Sequence, residues 1–342
     1  MPIKIYTNNL LLTPENRRNI FFIFLELCYT KDKWITTYFE IVENAKKADY
    51  LVWPLCLSYT KRIGKYEDYI SFIKEANHLH KQVWVYTGGD EGWSSFQAPN
   101  NGIHFRLAGF KSTYNYTTEV LPAFIQDPLK NTSFACLELN KPPYTIGFVG
   151  HADQSFLKLG KELAVHFKKK YSYYNKYDLD AQKFYPSGYK RAKYLSLLAN
   201  IPFLKSNFIL RNKYRAGALS NEDLRKQTEV EFKNNIKENL FTFCLRGGGN
   251  FSIRFYETLA QGRIPFYVDT DTQLPLEDII NWDAHILRIY PSDNSHQIQK
   301  KIEEFVQTHD LENLQTQNRN LWLNSLTRQG YAKQLYLKYQ QK

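Results

Sequence analysis

Residues 243–275, FCLRGGGNFSIRFYETLAQGRIPFYVDTDTQLP, predict a strand, a glycine-rich turn, a short helix, a second strand and an acidic loop. Residues 240–245 form a short apolar run of strand type. The glycines that follow it, Gly247, Gly248 and Gly249, allow a tight turn and a close backbone approach to a ligand. This order is typical of a nucleotide-binding segment in an α/β protein.

The predicted helix is bounded by residues that favour its two ends. Asn250 or Ser252 can cap the first turn, and Gly262 suits the left-handed position after the last turn. Free N–H groups at a helix start favour an anion such as a phosphate. We therefore expect a phosphate to bind between the glycines and the helix.

Two arginines and a glutamate carry the charge of this segment. Arg246 precedes the turn, Arg254 lies in the first helical turn, and Glu257 shares one helix face with Arg254. The cations suit a diphosphate, and the carboxylate suits a ribose or sugar diol. A structural ion pair that fixes the helix against the loop is the alternative, and the two roles are compatible.

The order of residues in this stretch resembles the exostosin-like glycosyltransferases. Their core carries a Cys-x-Arg-Gly-x-Gly-x-x-Ser-x-Arg-x-x-Glu pattern, then Gly-x-Ile-Pro and Leu-Pro. The matching residues are Cys244, Arg246, Gly247, Gly249, Ser252, Arg254, Glu257, Gly262, Ile264, Pro265, Leu274 and Pro275. The resemblance also covers residues 48–54 and the Gly88-Gly89-Asp90 turn, where Glu91 replaces the usual histidine.

This resemblance implies an α/β protein of the GT-B fold. In that fold two Rossmann-like domains face a central cleft and the C-terminal helix crosses back to the first domain. It also implies an inverting enzyme that moves a sugar from a nucleotide donor, UDP by analogy, to the hydroxyl of a glycan or glycolipid acceptor. The nucleotide sugar is then a co-substrate, with no other cofactor and no catalytic metal.

Alternating strand and helix patterns predict the domain organisation. Strands at residues 3–6, 50–53 and 83–86 and helices at 34–48 and 66–80 indicate a parallel sheet. The Lys-Pro-Pro break at 141–143 separates an acceptor-binding domain, residues 1–142, from a donor-binding domain, residues 143–314. Residues 315–342 are expected to form the returning helix.

Further donor-site candidates follow other predicted strands. Arg211 and Arg215 come after the strand at 208–210 and can add charge around a diphosphate, although an exposed loop explains them equally well. His151 starts the second domain and can face the cleft. The predicted donor site comprises Arg211, Arg215, Arg246, Gly247, Gly249, Asn250, Ser252, Arg254, Glu257 and His151.

Catalysis needs a base that reaches the acceptor hydroxyl. Asp90 is the first candidate because it follows a strand at the cleft edge of the first sheet. Glu91 and His104 are the next candidates. A turn-capping role is the alternative for Asp90, since aspartate often bonds to its own backbone after glycines.

The sequence leaves two alternative functions open. Asp269-Thr270-Asp271 resembles an Asp-x-Asp metal signature, which leaves open a metal-dependent or retaining transferase. The net charge of +11 leaves open a non-catalytic binder of anionic glycan or nucleic acid, but no nucleic-acid-binding motif is found.

The cysteine spacing and the N-terminal sequence predict the cellular compartment of the protein. The four cysteines show no Cys-x-x-Cys spacing, which indicates free thiols and no zinc site. No signal peptide is recognised. We expect a cytoplasmic enzyme, with peripheral contact to an anionic inner membrane surface. The oligomeric state stays open.

Overall fold

Continuous apolar runs form the strands, as expected for parallel sheets that are covered on both faces. Every side chain of the strands at residues 50–56, 241–244 and 264–268 is buried. The computed structural model describes residues 1–138, 142–176, 179–180, 182–211 and 222–340. Arg215 and Lys141 lie outside the described residues.

The strands form two parallel sheets. The first is six-stranded, in the order β2-β1-β3-β4-β5-β6, and the second is five-stranded, in the order β11-β10-β9-β7-β8. The strands are β1 Ile3–Tyr6, β2 Phe39–Ile41, β3 Tyr50–Cys56, β4 Gln82–Thr87, β5 Gly102–Arg106, β6 Thr117–Val120, β7 Tyr144–His151, β8 Leu204–Arg211, β9 Phe241–Cys244, β10 Ile264–Val268 and β11 Leu287–Ile289.

Helices connect these strands. One hydrophobic cluster joins the first sheet to residues 255–260 and to Cys244 and Tyr267, and a second cluster lies around the second sheet. The helices are α1 Phe22–Leu25, α2 Ile35–Tyr38, α3 Leu57–Arg62, α4 Tyr66–His78, α5 Phe156–Lys176, α6 Ser187–Leu198, α7 Glu222–Glu238, α8 Ile253–Ala260, α9 Ser295–Thr308, α10 Leu311–Leu321 and α11 Arg328–Tyr339. The predicted α/β class with two parallel sheets is confirmed.

The helix predicted at residues 34–48 is wrong. Only the short helix α2 forms there, and the chain continues into β2, which pairs in parallel with β1. Phe39 is fully buried and its ring packs edge-on against Trp84. The β-branched pair Ile41-Val42 also favours an extended backbone, so strand pairing and burial override the helical spacing.

The last helix, α11, returns to the first sheet, as predicted for a GT-B fold. The Tyr331 hydroxyl donates to the Val120 carbonyl at 3.0 Å, and the Tyr339 hydroxyl donates to Glu119 Oε1 at 2.6 Å. Tyr50 of β3 donates to the Tyr339 carbonyl at 2.9 Å. The chain therefore begins and ends on the same sheet. In the described ranges, no helix is both long enough and apolar enough to cross a membrane.

Candidate functional site

The glycine turn joins β9 to α8 at the C-terminal edge of the second sheet. Ser252 is the N-cap of α8, but its side chain forms no capping hydrogen bond. The N–H groups of the first turn of α8 therefore have no side-chain acceptor there and can bind an external anion. Gly262 follows the helix with φ +65°, as predicted for a C-terminal glycine.

Asn250 has a different role from the predicted cap. It is fully buried, and its Nδ2 donates to the carbonyl oxygens of Gly109, Thr270 and Asp271 at 2.9, 3.0 and 3.0 Å. These bonds tie the turn to the first domain and to the loop after β10. Asn250 therefore fixes the turn and is not exposed to a ligand.

The three glycines of the turn differ in what surrounds them. A Cβ at Gly249 would overlap the carbonyl oxygen of Asp90, so the close approach predicted there is made by the segment after β4. Added carbons at Gly247 and Gly248 would meet only the Arg191 guanidinium at 3.8 Å and Lys169 Nζ at 3.9 Å. Space for a ligand remains beside these two glycines.

A cavity of about 700 Å³ opens at the C-terminal ends of β7, β8 and β9, and we call it the donor cavity because residues expected at the donor site line it. It brings together eight of the predicted site residues: Asp90, His151, Arg211, Gly247, Gly249, Ser252, Arg254 and Glu257. Arg246 lines a neighbouring cavity instead. Residues from distant parts of the chain therefore meet where parallel sheets usually bind ligands.

Arg254 and Arg246 are cations without carboxylate partners in the described part of the chain. Arg254 Nη2 donates to the Val149 carbonyl at 2.7 Å, and its guanidinium lies 4.3 Å from the centre of the Phe148 ring. Arg246 donates to the Gly248 carbonyl at 3.0 Å. The Nε atoms of both side chains are buried without a hydrogen-bond partner. The structural ion pair considered for these residues is therefore not formed.

Arg191 is a third cation of this kind, and the sequence did not single it out. It lies on α6 and donates to the carbonyls of His151 and Arg246 at 3.3 and 3.2 Å, while its Nε has no partner among the described residues. Burial and the nearby Arg254 lower its pKa to about 10, so it stays protonated at neutral pH. The Lys190-Arg191 pair is an ordinary sequence for a surface helix. The role of Arg191 becomes visible only from its contact with the His151 carbonyl at the end of β7.

Burial also lowers the pKa of Arg246 and of Arg254. Arg246 is buried and Arg191 and Arg254 are half-buried. Three such guanidinium groups with no carboxylate partner among the described residues are costly unless an anion compensates them. This arginine cluster, Arg191, Arg246 and Arg254, therefore indicates an anionic ligand. The adjoining helix start favours the same charge.

Glu257 lies one helical turn beyond Arg254 and lines the donor cavity. Its carboxylate forms no hydrogen bond or ion pair with any described residue. Burial raises its pKa, and the charges of Arg254 and Lys233 oppose that shift. A buried carboxylate that faces a cavity is available to accept hydrogen bonds from ligand hydroxyls.

His151 and Arg211 lie at the edge of the same cavity. Burial, with Lys158 and Arg191 nearby, lowers the pKa of His151, and its Nδ1 has no partner in the described ranges. Arg211 is paired with Glu231. His151 therefore keeps a free polar atom for a ligand, whereas the charge of Arg211 is already matched.

The three candidate bases occupy different environments. Asp90 is exposed, lines the donor cavity and forms no ion pair with a described residue, and Gly89 before it adopts φ +86°. Glu91 is held by Lys169 Nζ at 2.6 Å. Of the three candidate bases, Asp90 is therefore the one that presents a carboxylate without an ion-pair partner among the described residues to the cavity.

His104, the third candidate base, lies away from both cavities. It lies on β5, is 2% exposed, and lines neither of the two cavities. A 2.5 Å hydrogen bond joins its Nε2 to Thr87 Oγ1, and burial beside Arg106 lowers its pKa well below the usual value. Both faces of β5 are covered, since residues 103 to 106 are all buried, so the side chain of His104 lies in the protein interior.

Both aspartates of Asp269-Thr270-Asp271 are bound by other residues of the protein. Asp269 Oδ2 pairs with Arg288 Nη1 at 2.6 Å, and Asp271 accepts hydrogen bonds from the Ser112 amide and hydroxyl at 3.1 and 2.5 Å. In the described residues, no group of three or more histidine, cysteine, aspartate or glutamate side chains could hold a metal ion.

The neighbouring cavity has a volume of about 1270 Å³ and continues along the same sheet edge after β10 and β11. The guanidinium of Arg246 forms part of its wall and lies 5.0 Å from the Phe110 ring centre and 4.8 Å from that of Tyr185. Phe184 and Tyr290 add further aromatic surface. Arg246 therefore stands between the two cavities.

Asp180 holds the first domain onto this site, and the sequence did not predict it. Its carboxylate accepts hydrogen bonds from the Ser94 amide and from the buried Arg106 Nη2, both at 2.6 Å, and its amide donates to the Gly92 carbonyl. These bonds fix the segment after β4, and they hold Asp90 over the glycine turn.

No protein-family model and no curated protein sequence matches the chain. Solved structures similar to it include HepE of Anabaena in complex with UDP, at 8% identity over the whole of both chains with a TM-score of 0.39. The spinosyn rhamnosyltransferase SpnG with thymidine diphosphate shares 8% identity over 98% of this chain and 100% of its own, with a TM-score of 0.35.

A chain of the GtfA/B complex shares 11% identity over 79% of this chain, with a TM-score of 0.37. The match covers 55% of the length of that GtfA/B chain.

Proposed function

We propose that this protein is an inverting glycosyltransferase that uses a nucleotide-sugar donor, with UDP as the nucleotide. The observation that carries the proposal is the arginine cluster beside the start of α8. Arg191, Arg254 and the start of α8 line the donor cavity, and Arg246 lies between it and the neighbouring cavity. None of the three guanidinium groups has a carboxylate partner among the described residues, and a diphosphate would supply the missing negative charge.

Glu257 gives the proposed donor its orientation. A carboxylate one turn into α8 accepts hydrogen bonds from the two hydroxyls of a ribose, while the diphosphate lies at the helix start. The matched exostosin-like pattern places Arg254 and Glu257 at the same relative positions, and this resemblance is the basis for choosing UDP.

Asp90 is the proposed general base. The acceptor hydroxyl oxygen forms a bond to the anomeric carbon as the bond from that carbon to the diphosphate breaks. The hydroxyl proton passes to Asp90, and the electron pair of the broken bond leaves on the diphosphate. Stabilisation of this charge by fixed cations is commonly worth several kcal/mol, on the order of the oxyanion-hole contribution.

The acceptor in this proposal is a glycan or glycolipid. The neighbouring cavity offers the aromatic faces of Phe110, Tyr185 and Tyr290 beside Arg246, and sugar rings stack on such faces. The cavity shares Arg246 with the glycine turn, so an acceptor there lies next to the proposed diphosphate.

The metal-dependent alternative is less well supported, because Asp269 and Asp271 are held by Arg288 and Ser112. A non-catalytic anion binder would also use the arginine cluster, but would not need Glu257 or an uncommitted Asp90. Turnover of the donor therefore separates a transferase from a binder.

A thermal-shift panel of nucleoside diphosphates and nucleotide sugars tests the proposal. We expect UDP and a UDP-sugar to raise the melting temperature in proportion to ln(1 + [L]/Kd), because both bind only the folded protein. The protein should also slowly release UDP from the UDP-sugar. Stabilisation without release would favour a binder, and no stabilisation by any nucleotide would refute a nucleotide donor site.

A further inference from the structure

Helix α5 has two faces of different character. Its inward face contacts the rest of the protein: Lys158 and Glu162 line the donor cavity, and Lys169 pairs with Glu91 of the first domain. Glu162 Oε1 also accepts a hydrogen bond from the Gly188 amide of α6 at 3.1 Å. The helix is therefore docked by its polar side.

The outward face of α5 is apolar, which reverses the usual pattern of a surface helix. Phe156 and Leu157 are 85% and 80% exposed, and Phe167 and Tyr171 are 59% and 71% exposed. Together with Leu163 these residues form the outward stripe, and Gly160 and Ala164 lie within it. At 100° per residue the stripe covers about a third of the helix circumference.

The stripe is continuous along the helix. From residue 156 to residue 171 it extends roughly 22 Å at 1.5 Å per residue. Single exposed apolar residues are normal on a protein surface, but a row of aromatic and aliphatic side chains along one helix indicates a docking surface.

One edge of the stripe is basic. Lys161 and Lys168 are exposed and form no ion pair with any described carboxylate. Glu162 is the one acidic residue between positions 156 and 171, and it faces inward. The outward side of α5 therefore combines apolar groups with positive charge, and the whole chain has a net charge of +11.

We propose that the outward stripe of α5 docks onto an anionic membrane surface. The helix lies parallel to the surface, with Phe156, Leu157 and Phe167 below the lipid headgroups and Lys161 and Lys168 at the level of their phosphates. Charge complementarity selects this occupant, since a second copy would bring the same positive charge to the interface.

Docking through α5 would place the donor cavity close to the membrane. The inward face of α5 forms part of the donor cavity, so a docked protein holds that cavity within one helix diameter, about 10 Å, of the membrane. The docking itself does not depend on the proposed transferase activity.

Co-sedimentation with lipid vesicles tests the proposal. We expect the protein to bind equimolar phosphatidylcholine–phosphatidylglycerol vesicles, to bind pure phosphatidylcholine vesicles far more weakly, and to dissociate as salt is added. The double variant Lys161→Gln/Lys168→Gln should lower the affinity roughly 25-fold, since each lysine near an anionic surface contributes about a factor of five.

The apolar stripe is tested by Phe156→Ser/Phe167→Ser, which should abolish sedimentation with the vesicles. Matched controls are Leu10→Ser/Leu337→Ser and Lys46→Gln/Lys47→Gln, which change exposed residues elsewhere. Circular dichroism and melting temperature check that each variant folds.

Binding that is equal in the α5 variants and the controls would overturn the proposal. So would an absence of binding by the unaltered protein. A dimer in light scattering that Phe156→Ser/Phe167→Ser converts to a monomer, without vesicle binding, would assign the stripe to a second copy instead.

Discussion

Arg254 is the residue on which the proposed donor site depends most. It is half-buried over the Phe148 ring, donates to the Val149 carbonyl and has no carboxylate partner among the described residues. Its position at the start of α8 lets it bind the same anion as the helix amides. Arg191 and Arg246 also lack a carboxylate partner in the described part of the chain, and the proposal assigns one anion to the three side chains.

We expect Arg254→Gln to weaken UDP binding by about 1.5–3 kcal/mol, the range for charge-assisted hydrogen bonds. Calorimetric titration of UDP measures this loss. Arg18→Gln is the matched control, because Arg18 is exposed and does not line the cavity. A folded Arg254→Gln protein that binds UDP as tightly as the control would contradict the assignment.

Asp90 is expected to act in turnover and not in donor binding. Asp90→Asn keeps the size of the side chain and removes the base, so the turnover number should fall by about 10²–10⁴ while UDP affinity stays the same. Glu91→Gln is the control, since Glu91 is already paired with Lys169.

The turn-capping alternative for Asp90 makes a different prediction. It gives a lower melting temperature with unchanged turnover per folded molecule. Measuring both quantities on the same Asp90→Asn sample therefore decides between the two roles.

The turn between β9 and α8 packs against the segment after β4 and also lines the donor cavity. Gly249 is in contact with the Asp90 carbonyl, whereas an added carbon at Gly248 meets only the tip of Lys169. We expect Gly249→Ala to destabilise the protein by about 1–3 kcal/mol, the usual cost of overpacking. Gly248→Ala should change the free energy of unfolding little, which urea denaturation can measure. Equal effects would argue against the close approach of the two domains.

Local sequence signals predicted this element well. Glycines, proline and short apolar runs define β9, α8 and β10, and the structure has all three. The segment 34–48 was mispredicted because its strand depends on pairing with β1, which lies more than thirty residues earlier. Arg191 and Asp180 could not be recognised, because each acquires its role from contacts with distant segments. Packing turns the side chains of Asn250 and His104 inward, which local sequence signals could not predict.

At the scale of the whole molecule, two parallel sheets enclose the site and α11 returns to the first sheet. The positive charge beside the donor cavity comes from arginines and a helix start. Activity should therefore persist in excess EDTA. Turnover assays with and without the chelator measure this, and loss of activity that Mn²⁺ restores would assign a catalytic role to Asp269 and Asp271.

The most direct test of the central claim is a crystal structure of the protein with UDP. We predict the diphosphate at residues 247–252, within hydrogen-bond distance of the first amides of α8 and of Arg254, with the ribose hydroxyls on Glu257. A diphosphate ordered elsewhere, or a donor cavity that stays empty at a UDP concentration that saturates binding in solution, would contradict the claim.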